Sequence, residues 1–573
     1  MSASLLLVQL LSGLAHAMVL FLIASGLSLI FGVTRIVNFA HGSFYMLAAY
    51  LTYSLAARLS LGGASFYAAG LAAALLVGLL GLVVEVGLLR RVYGAPELYQ
   101  LLLTFALVLV IADLVRWAWG TENLTGPVAP GLTGAVPIAG QLFPTYDLAL
   151  IALGPLVALG LWALFYRTRY GILIRAATLD REMVAVLGVN EAALFTSVFV
   201  LGSVLAGLAG ALQVPRQALT TVMDTAIITE AFVVVVVGGM GSVFGALLSA
   251  ILIGVIDAFG VLVLPRASLV LIFVVMAVVL IVRPWGLLGR PGGPDAAGAG
   301  TTLAADGGRV PRGLVAALVA ALVVIPPLLP PFALWLLVEV LAFALFAASL
   351  HLLMGAGGMV SFGHAAAFGL GAYGAALLML QAGWPMPLAF AGAPLVAAAC
   401  SVVIGFFCVR LSSIYFAMLT LAFTQIAYAI VHQWYDLTGG DNGLLGVWPP
   451  PWLAPPLRYY YLALLACGGG VALLALIERA PFGLTLRAAV YLKGSVFPES
   501  LTVGVSIQPL VMVLLGGVET LAGAPVGAAV YKLLDTVVTR YTEYWQAVLG
   551  GILILLVVAF PRGIVGSLRS ARR

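Results

Sequence analysis

The sequence predicts an all-α fold, a polytopic bundle of transmembrane helices in two related halves, with about eight spans per half. Three observations predict it. Hydrophobic residues make up 63% of the 573 residues and charged residues only 8%, whereas ordinary soluble domains are about a quarter charged. Apolar runs long enough to cross a membrane recur along the chain, and one nineteen-residue phrase occurs twice.

The apolar runs predict the individual helices, because about 20 apolar residues cross a ~30 Å hydrocarbon layer. The repeated phrases add one helix to each half. The first run has no basic segment before it and no small-residue cleavage pattern after it, so we expect a retained span and not a signal peptide. The runs cover residues 5–33, 66–89, 98–117, 148–165, 194–212, 243–264 and 269–282, then 313–329, 334–354, 388–409, 414–431, 461–477 and 548–560.

The repeated phrase is GVTRIVNFAHGSFYMLAAY at residues 32–50 and GAGGMVSFGHAAAFGLGAY at residues 355–373, a constant distance of 323 positions. Seven residues are identical between the copies, among them the histidines His41 and His364. Internal repeats in membrane transporters place the permeation path at the junction between repeats. The repeat therefore favours a transport function.

Arginine placement predicts which loops are cytoplasmic under the positive-inside rule. Arginines cluster after residue 89, at 167–181, at 283–312 and at the C-terminus, whereas the Gly/Pro-rich loops 120–146 and 436–456 contain no Lys or Arg. The flexible stretch 286–312 has the composition of a linker. We predict a first half at 1–285, a cytoplasmic linker at 286–312 and a second half at 313–573.

Two further repeat anchors indicate that the second half is shorter. YGILIRAA at Tyr170 matches FGLTLRAA at Phe482 at a distance of 312, but VGGMGSVFGA around Gly238 matches LGGVETLAGA around Gly516 at only 278. The second half therefore lacks 34 residues, a cytoplasmic loop and a span, after Ala489. Losing one span would place the C-terminal spans on the wrong side unless another segment re-enters the membrane, whereas the C-terminal arginines indicate a cytoplasmic end.

The segment that only the first half has begins with a short amphipathic stretch from Ala177 to Asn190. Charged residues precede apolar ones, and Gly188 is a plausible helix C-cap. Such a helix on the cytoplasmic face could dock a soluble partner, or it could lie in the lipid headgroups.

Four polar residues of the repeated phrases fall near membrane depth: Asn38, His41, Ser361 and His364. Polar groups inside the membrane face the bundle interior or water. They could line or gate the path, or each imidazole could simply hydrogen-bond a backbone carbonyl at a Gly-rich helix start. One histidine per half without nearby carboxylates predicts no metal site, and the sequence predicts no cofactor.

Enzymatic motifs are absent from the sequence. A phosphate-binding P-loop needs a Gly-Lys pair, but Lys493 follows Leu492 and Lys532 follows Tyr531, and these are the only lysines. HExxH and GxSxG are also missing. Carboxylates in or beside apolar runs could serve a proton-coupled secondary transporter; they are Glu85, Asp113, Glu230, Asp257 and Glu339.

Several motifs in the right order resemble the permease subunits of branched-chain amino acid (LIV-type) ABC importers. IVNFAHGSFYMLAAY, RAATLDREMVAVLGVN and VVVVVGGMGSVFGA resemble the first subunit. GMVSFGHAAAFGLGAYGAAL, YFAMLTLAFTQIAYAIV, LTGGDNGL and WQAVLGGILILLVVAFPRGIVG resemble the second. The resemblance covers nearly the whole chain and implies a natural fusion of the two subunits, without the second coupling loop.

This resemblance implies a multi-pass permease of the bacterial inner membrane. Its partners would be two ABC ATPase subunits and a periplasmic substrate-binding protein, and its substrate a branched-chain or other hydrophobic amino acid. It also identifies this amphipathic segment with the loop that docks an ATPase, so the resemblance implies Arg175, Asp180, Arg181, Glu182, Leu187 and Gly188 as the candidate docking residues. Related permeases carry urea or short amides, so the resemblance leaves the substrate open among these classes.

Overall fold

The computed structural model describes residues 2–34, 37–59, 64–93, 97–179, 181–289, 312–356, 361–408, 411, 413–476, 495–496, 503–517 and 523–559. Over these residues the chain is almost entirely helical, which confirms the predicted all-α polytopic fold. Ten of the described helices are long and apolar enough to cross a membrane, and five shorter ones are apolar. The chain is therefore a multi-pass membrane protein.

The first of two compact units comprises Met1–Pro291 together with Tyr541–Val558. Its only described sheet is the hairpin of β1 (Ala135–Ile138) and β2 (Gln141–Pro144) in the loop 120–146. Its helices are α1 (Ala3–Thr34), α2 (Ala40–Arg58), α3 (Ser65–Gly87), α4 (Glu97–Trp119), α5 (Thr145–Arg167), α6 (Arg169–Leu179), α7 (Arg181–Val186), α8 (Glu191–Gln213), α9 (Met223–Gly238), α10 (Val243–Val263) and α11 (Ser268–Val282).

The second unit comprises Gly292–Arg540 and Ala559–Arg573. Strands β3 (Leu444–Leu445) and β4 (Ser495–Val496) pair in an antiparallel manner. The helices are α12 (Arg312–Val324), α13 (Pro331–His351), α14 (His364–Leu380), α15 (Met386–Cys408), α16 (Ser413–Gln433), α17 (Tyr435–Thr438), α18 (Pro456–Leu476), α19 (Val503–Gly516) and α20 (Gly523–Tyr541). The last helix, α21 (Trp545–Ala559), groups with the first unit.

Helix α1 is the centre of the first unit and packs against α5, α8, α9 and α10. Small residues allow these close approaches: a Cβ added to Gly13 would lie 2.8 Å from the Gly254 carbonyl oxygen, and one added to Gly26 would lie 2.6 Å from that of Gly202. Glycines at helix crossings are typical of membrane proteins, where van der Waals packing replaces the hydrophobic effect between helices. The glycine content of the spans therefore serves packing.

The core of the second unit lies between α13, α14, α15, α16 and α18. Tyr460 is fully buried there and donates a hydrogen bond to the Leu322 carbonyl, with an oxygen–oxygen distance of 2.7 Å. The neighbouring Tyr459 ring packs on Trp335, with ring centroids 5.4 Å apart. These contacts attach α12 and α13 to α18.

The final helix α21 runs antiparallel to α4. The Ala547 amide donates to Asp113 Oδ2 at 2.7 Å, and a Cβ on Gly550 would lie 2.6 Å from the Ala106 carbonyl oxygen. Helix α21 therefore ends at the same side as the start of α4, which follows Arg90 and Arg91. The C-terminal arginines, whose side the sequence left in conflict, lie outside the described residues.

Three helices of the structure, α9, α19 and α20, were not among the runs that the sequence predicts. Asp224 and Glu230 interrupt the apolar pattern of α9, and Lys532 and Asp535 interrupt that of α20. Charges inside apolar helices lower the hydropathy of any window that contains them. These charges have partners in the fold, which a window average does not register.

Asp113→Ala should loosen α21, because it removes the acceptor at the start of that helix and the 3.5 Å ion pair with Arg116. We expect a loss of about 1–2 kcal/mol, seen as a lower Tm of the purified chain. Glu543→Ala removes an exposed acid beside the same helix and is the control. Equal Tm values for the two variants would contradict the Asp113–Ala547 contact.

Candidate functional site

The first repeated phrase lies at a break between two helices. Helix α1 ends at Thr34 and α2 begins at Ala40, and the non-helical residues Val37 and Asn38 between them are buried. Non-helical backbone at membrane depth is tolerated only where it is buried in protein or lines a water-filled cavity. The break therefore needs dedicated hydrogen-bond partners.

Helix α2 begins at the level of the middle of two neighbouring helices, α1 and α8. His41, in its first turn, contacts the Ile23 carbonyl oxygen through Nε2 at 3.0 Å. A Cβ on Gly26 would lie 3.0 Å from His41 Nε2 and 2.6 Å from the carbonyl oxygen of Gly202, which is the central residue of α8. Helix α2 is therefore a short helix that begins inside the bundle.

A threonine on α4 satisfies the backbone of this break. The Phe39 amide donates to Thr104 Oγ1 at 3.4 Å, and the hydroxyl lies 2.9 Å from the Leu101 carbonyl oxygen. The side chain of Thr104 has no exposed surface. A buried amide without an acceptor costs about 1–3 kcal/mol, so Thr104 stabilises the end of the break.

The second repeated phrase has the same arrangement in the second unit. The Phe362 amide donates to Thr420 Oγ1 on α16 at 3.1 Å. His364 begins α14, and its Nε2 lies 2.6 Å from Ser349 Oγ. Since the Ser349 hydroxyl donates to the Phe346 carbonyl at 2.7 Å, it accepts from His364. Ser361 Oγ accepts from the Gly363 amide at 3.1 Å.

The partners of the two histidines are themselves related by the repeat. Ile23 and Phe346 are 323 positions apart, as are Gly26 and Ser349. Thr104 and Thr420 are 316 positions apart, inside a shared Leu-Thr-x-Ala pattern. That pattern was the available signal for the two threonines, which sequence reasoning missed.

The first break keeps polar atoms that have no protein partner. Asn38 is 1% exposed, and its Nδ2 makes no hydrogen bond. His41 donates through Nε2, which leaves its buried Nδ1 as an unused acceptor. The break therefore keeps one unused donor and one unused acceptor. Over the described residues no three metal-ligand side chains cluster.

The predicted docking segment folds as two short helices, α6 and α7, between the ends of α5 and α8. The Tyr170 hydroxyl lies 2.8 Å from Ser197 Oγ and joins α6 to α8. Burial raises the pKa of the Tyr170 phenol above its ordinary value. Since the Ser197 hydroxyl donates to the Leu194 carbonyl at 2.7 Å, it accepts from Tyr170. The segment is thus held against the bundle.

Arg175 turns back toward α5. Its guanidinium donates to the Phe165 carbonyl and lies 4.8 Å from the centroid of the Tyr166 ring. Its role in the structure is to hold α6 on α5. Arg181 and Glu182 belong to α7, with side chains outside the described residues, and Asp180 lies outside them altogether.

Helix α7 ends in the glycine C-cap that the sequence predicts. Gly188 has a φ of 83°, a left-handed conformation that favours glycine, and its amide donates to the Ala185 carbonyl at 3.0 Å. Asn190 then caps α8 by accepting from the Ala193 amide at 3.0 Å. Val186 and Leu187 are 81% and 74% exposed. The segment presents an apolar surface at the arginine-rich side.

A comparison with protein families matches residues 9–280 and 332–491 to the family "Branched-chain amino acid transport system / permease component". The chain is 28% identical to the high-affinity branched-chain amino acid transport system permease protein BraD of Pseudomonas aeruginosa, over 49% of this chain and 95% of that protein. It is 26% identical to LivH of Escherichia coli over the same shares.

The chain is also similar to a second kind of permease protein. It is 25% identical to the high-affinity branched-chain amino acid transport system permease protein LivM of Escherichia coli, over 38% of this chain and 66% of that protein. One chain thus contains two matched segments and resembles two different permease proteins.

Thr104→Val keeps the shape of the side chain but leaves the Phe39 amide without its acceptor. We expect a loss of about 1–3 kcal/mol, measured as a lower Tm, and faster hydrogen exchange at the start of α2.

Thr52→Val is the matched control. Thr52 is equally buried, but its hydroxyl donates to the Ala48 carbonyl of its own helix, at 2.7 Å. That carbonyl keeps its helical hydrogen bond in the variant. Similar losses in both variants would mean that Thr104 does not support the break.

Proposed function

Because the chain belongs to the family of branched-chain amino acid transport system permease components, we propose that it forms the membrane pore of an ATP-driven importer. The proposed substrates are branched-chain or other hydrophobic amino acids. The observation that carries this proposal is the match of both segments to the same family. Its similarity to the branched-chain amino acid permease proteins LivH and LivM supports the substrate class.

The proposed partners are two ABC ATPase subunits and a periplasmic substrate-binding protein, in the inner membrane of a bacterium. We assign ATPase docking to the segment from Arg175 to Gly188. Its support is the apolar surface of Val186 and Leu187 beside a short helix that Gly188 closes. In this assignment Arg175 positions α6, and Asp180, Arg181 and Glu182 supply charge to the docking surface.

The two helix breaks are the proposed gates of the path, with Asn38 and His41 in one half and Ser361 and His364 in the other. A short helix that begins inside the bundle can tilt without breaking a continuous helical ladder. Asn38 and His41 also retain unused hydrogen-bonding atoms. These atoms could form hydrogen bonds when the helix tilts into a second conformation of the gate.

The proposed organisation is a first half at 1–285, a cytoplasmic linker at 286–312 and a second half at 313–573 that lacks one coupling loop and one span. The family match ends at residue 491, just after the repeat anchor at Ala489. Residues 477–494 lie outside the described residues. The proposal therefore rests on repeat spacing and on the end of the family match.

A proton-coupled secondary transporter is the main alternative, and most of the membrane carboxylates are poorly suited to it. Glu85 is fully buried and accepts from Thr196, Tyr93 and Arg90 at 2.6, 2.9 and 3.2 Å. Asp113 pairs with Arg116, and Glu339 with Lys532. These three carboxylates are thus already engaged by side chains of the fold. A permease for urea or short amides is the alternative within the family.

The purified full chain should hydrolyse no ATP, because both of its lysines lack the preceding glycine of a P-loop. Proteoliposomes that contain the chain, its ATPases and its binding protein should accumulate radiolabelled L-leucine only when ATP is supplied. Uptake that follows a proton gradient without ATP would instead support the secondary transporter. Competition by urea but not by leucine would support the other substrate class.

Gly188→Val should weaken docking, because a β-branched residue at a φ of 83° costs about 1–3 kcal/mol and distorts the end of α7. We expect recovery of the ATPases with the tagged chain to fall about fivefold, with membrane insertion unchanged.

Gly131→Val is the control. Gly131 has a φ of 80° in the loop 120–146, and a Cβ at either glycine meets no atom within 4 Å. The two variants therefore introduce the same strain at different loops. Equal recovery of ATPases with both would exclude the α7 surface as the docking site.

A further inference from the structure

The start of helix α2, directly after the first helix break, is attached to the start of helix α9. The Ser43 hydroxyl donates to Asp224 Oδ2 at 3.0 Å, and Asp224 is only 2% exposed. The other carboxylate oxygen, Oδ1, accepts from the Thr225 amide at 2.7 Å. Asp224 therefore uses one oxygen on its own helix and the other on α2.

The two helices also touch through their backbones and through an aromatic pair. A Cβ added to Gly42 would overlap the Asp224 carbonyl oxygen and would lie 2.8 Å from Ile228 Cβ. The Phe39 ring packs against the Phe232 ring, with centroids 4.9 Å apart. Glycine at a helix crossing allows such a close approach. Residues 39, 42 and 43 therefore all contact α9.

The second half lacks most of the residues that form these contacts, as the repeat spacings of 323 and 278 positions show. It has no donor at the serine position and no carboxylate at the aspartate position. The replacements are Ala365 for Gly42, Ala366 for Ser43, Thr502 for Asp224 and Leu510 for Phe232. The Ser43–Asp224 attachment is therefore specific to the first half, whereas threonine and histidine contacts support both breaks.

The opposite end of α9 is held by backbone hydrogen bonds. The Leu287 and Leu288 amides, which follow α11, donate to the Val237 and Gly238 carbonyls at 2.7 and 3.0 Å. The next residue of the chain, Gly239, has a φ of 98°, and the helix ends there. Helix α9 is therefore anchored at its end and attached to α2 at its start.

We propose that Asp224 is a positioning residue of the first gate, which makes α2 and α9 move as one element. A tilt of α2 alone would leave Asp224 Oδ2 without its donor inside the bundle, and a buried acceptor without a partner is costly. A tilt of the two helices together, about the Gly239 end of α9, keeps both hydrogen bonds of Asp224. Hinges are commonly a few residues at the end of an element.

The assignment of this element to a gate rests on the proposed function. The attachment of α2 to α9 does not depend on transport, so the attachment and the gate are tested by separate measurements.

The first test measures hydrogen exchange of the purified full chain. Ser43→Ala removes the donor of Asp224 Oδ2. Because the two helices are joined, we expect exchange to become about tenfold faster in the first two turns of both α2 and α9. An unchanged rate in either helix would overturn the joined element.

Ser203→Ala is the matched control. Ser203 is fully buried on α8, but its hydroxyl donates to the Phe199 carbonyl of its own helix at 2.8 Å. That carbonyl keeps its helical hydrogen bond in the variant, so we expect wild-type exchange rates in α2 and α9. If this variant accelerated exchange there as much as Ser43→Ala, the role of Asp224 would be refuted.

Asp224→Ala tests the same hydrogen bond from the side of α9. It removes the acceptor of Ser43 and of the Thr225 amide, so we expect at least the acceleration seen in Ser43→Ala. The double variant should exchange no faster than Asp224→Ala, because the two side chains act through one hydrogen bond. Additive effects would contradict the proposal. Ser43→Ala, which removes a single oxygen atom, decides the question if Asp224→Ala does not fold.

A transport measurement tests the gate. In proteoliposomes with the ATPases and the binding protein, we expect Ser43→Ala to take up about fivefold less L-leucine per ATP hydrolysed, with recovery of the ATPases unchanged. A merely less stable chain would lose uptake and ATP hydrolysis together, which leaves this ratio unchanged. An unchanged ratio would therefore overturn the gate role. Failure of the proposed function gives a different result: the wild-type chain takes up no L-leucine with ATP, while the differences in hydrogen exchange remain.

Discussion

The structure depends on the hydrogen bonds that close the two helix breaks. Inside a membrane an amide without an acceptor is costly, so a helix can begin within the bundle only where a side chain replaces the missing turn. Thr104 and Thr420 do this for Phe39 and Phe362. The histidines after each break attach the new helix to the one before it. These bonds allow α2 and α14 to begin inside the bundle.

The two halves keep this plan with different chemistry. His41 contacts a backbone carbonyl, whereas His364 contacts a serine at the equivalent of Gly26. The second half likewise has Lys532 where the first half has Gly254. At its break the first half keeps unpartnered polar atoms on Asn38 and His41.

Much of the fold was predictable, because long apolar runs and a repeated phrase are strong signals. The first span, predicted at 5–33, is α1 at Ala3–Thr34, and Gly188 has the conformation that its C-cap prediction requires. Helices α9 and α20 were missed because their charged residues lower the hydropathy of the sequence. The side chains that accommodate these charges are distant in the sequence, such as Glu339 for Lys532. Thr104 was missed because its signal, the Leu-Thr-x-Ala pattern shared with Thr420, is only four residues long. The contact of α21 with α4 joins residues more than 400 positions apart, which no local pattern reveals.

The central claim is that one chain supplies both halves of a single permease. Native mass spectrometry of the complex, purified through the tagged chain together with its ATPases, tests this most directly. Our account predicts one 59.4 kDa chain for each pair of ATPase subunits. A complex with two copies of the chain around one pair of ATPases would contradict it, because each copy would then supply only one half.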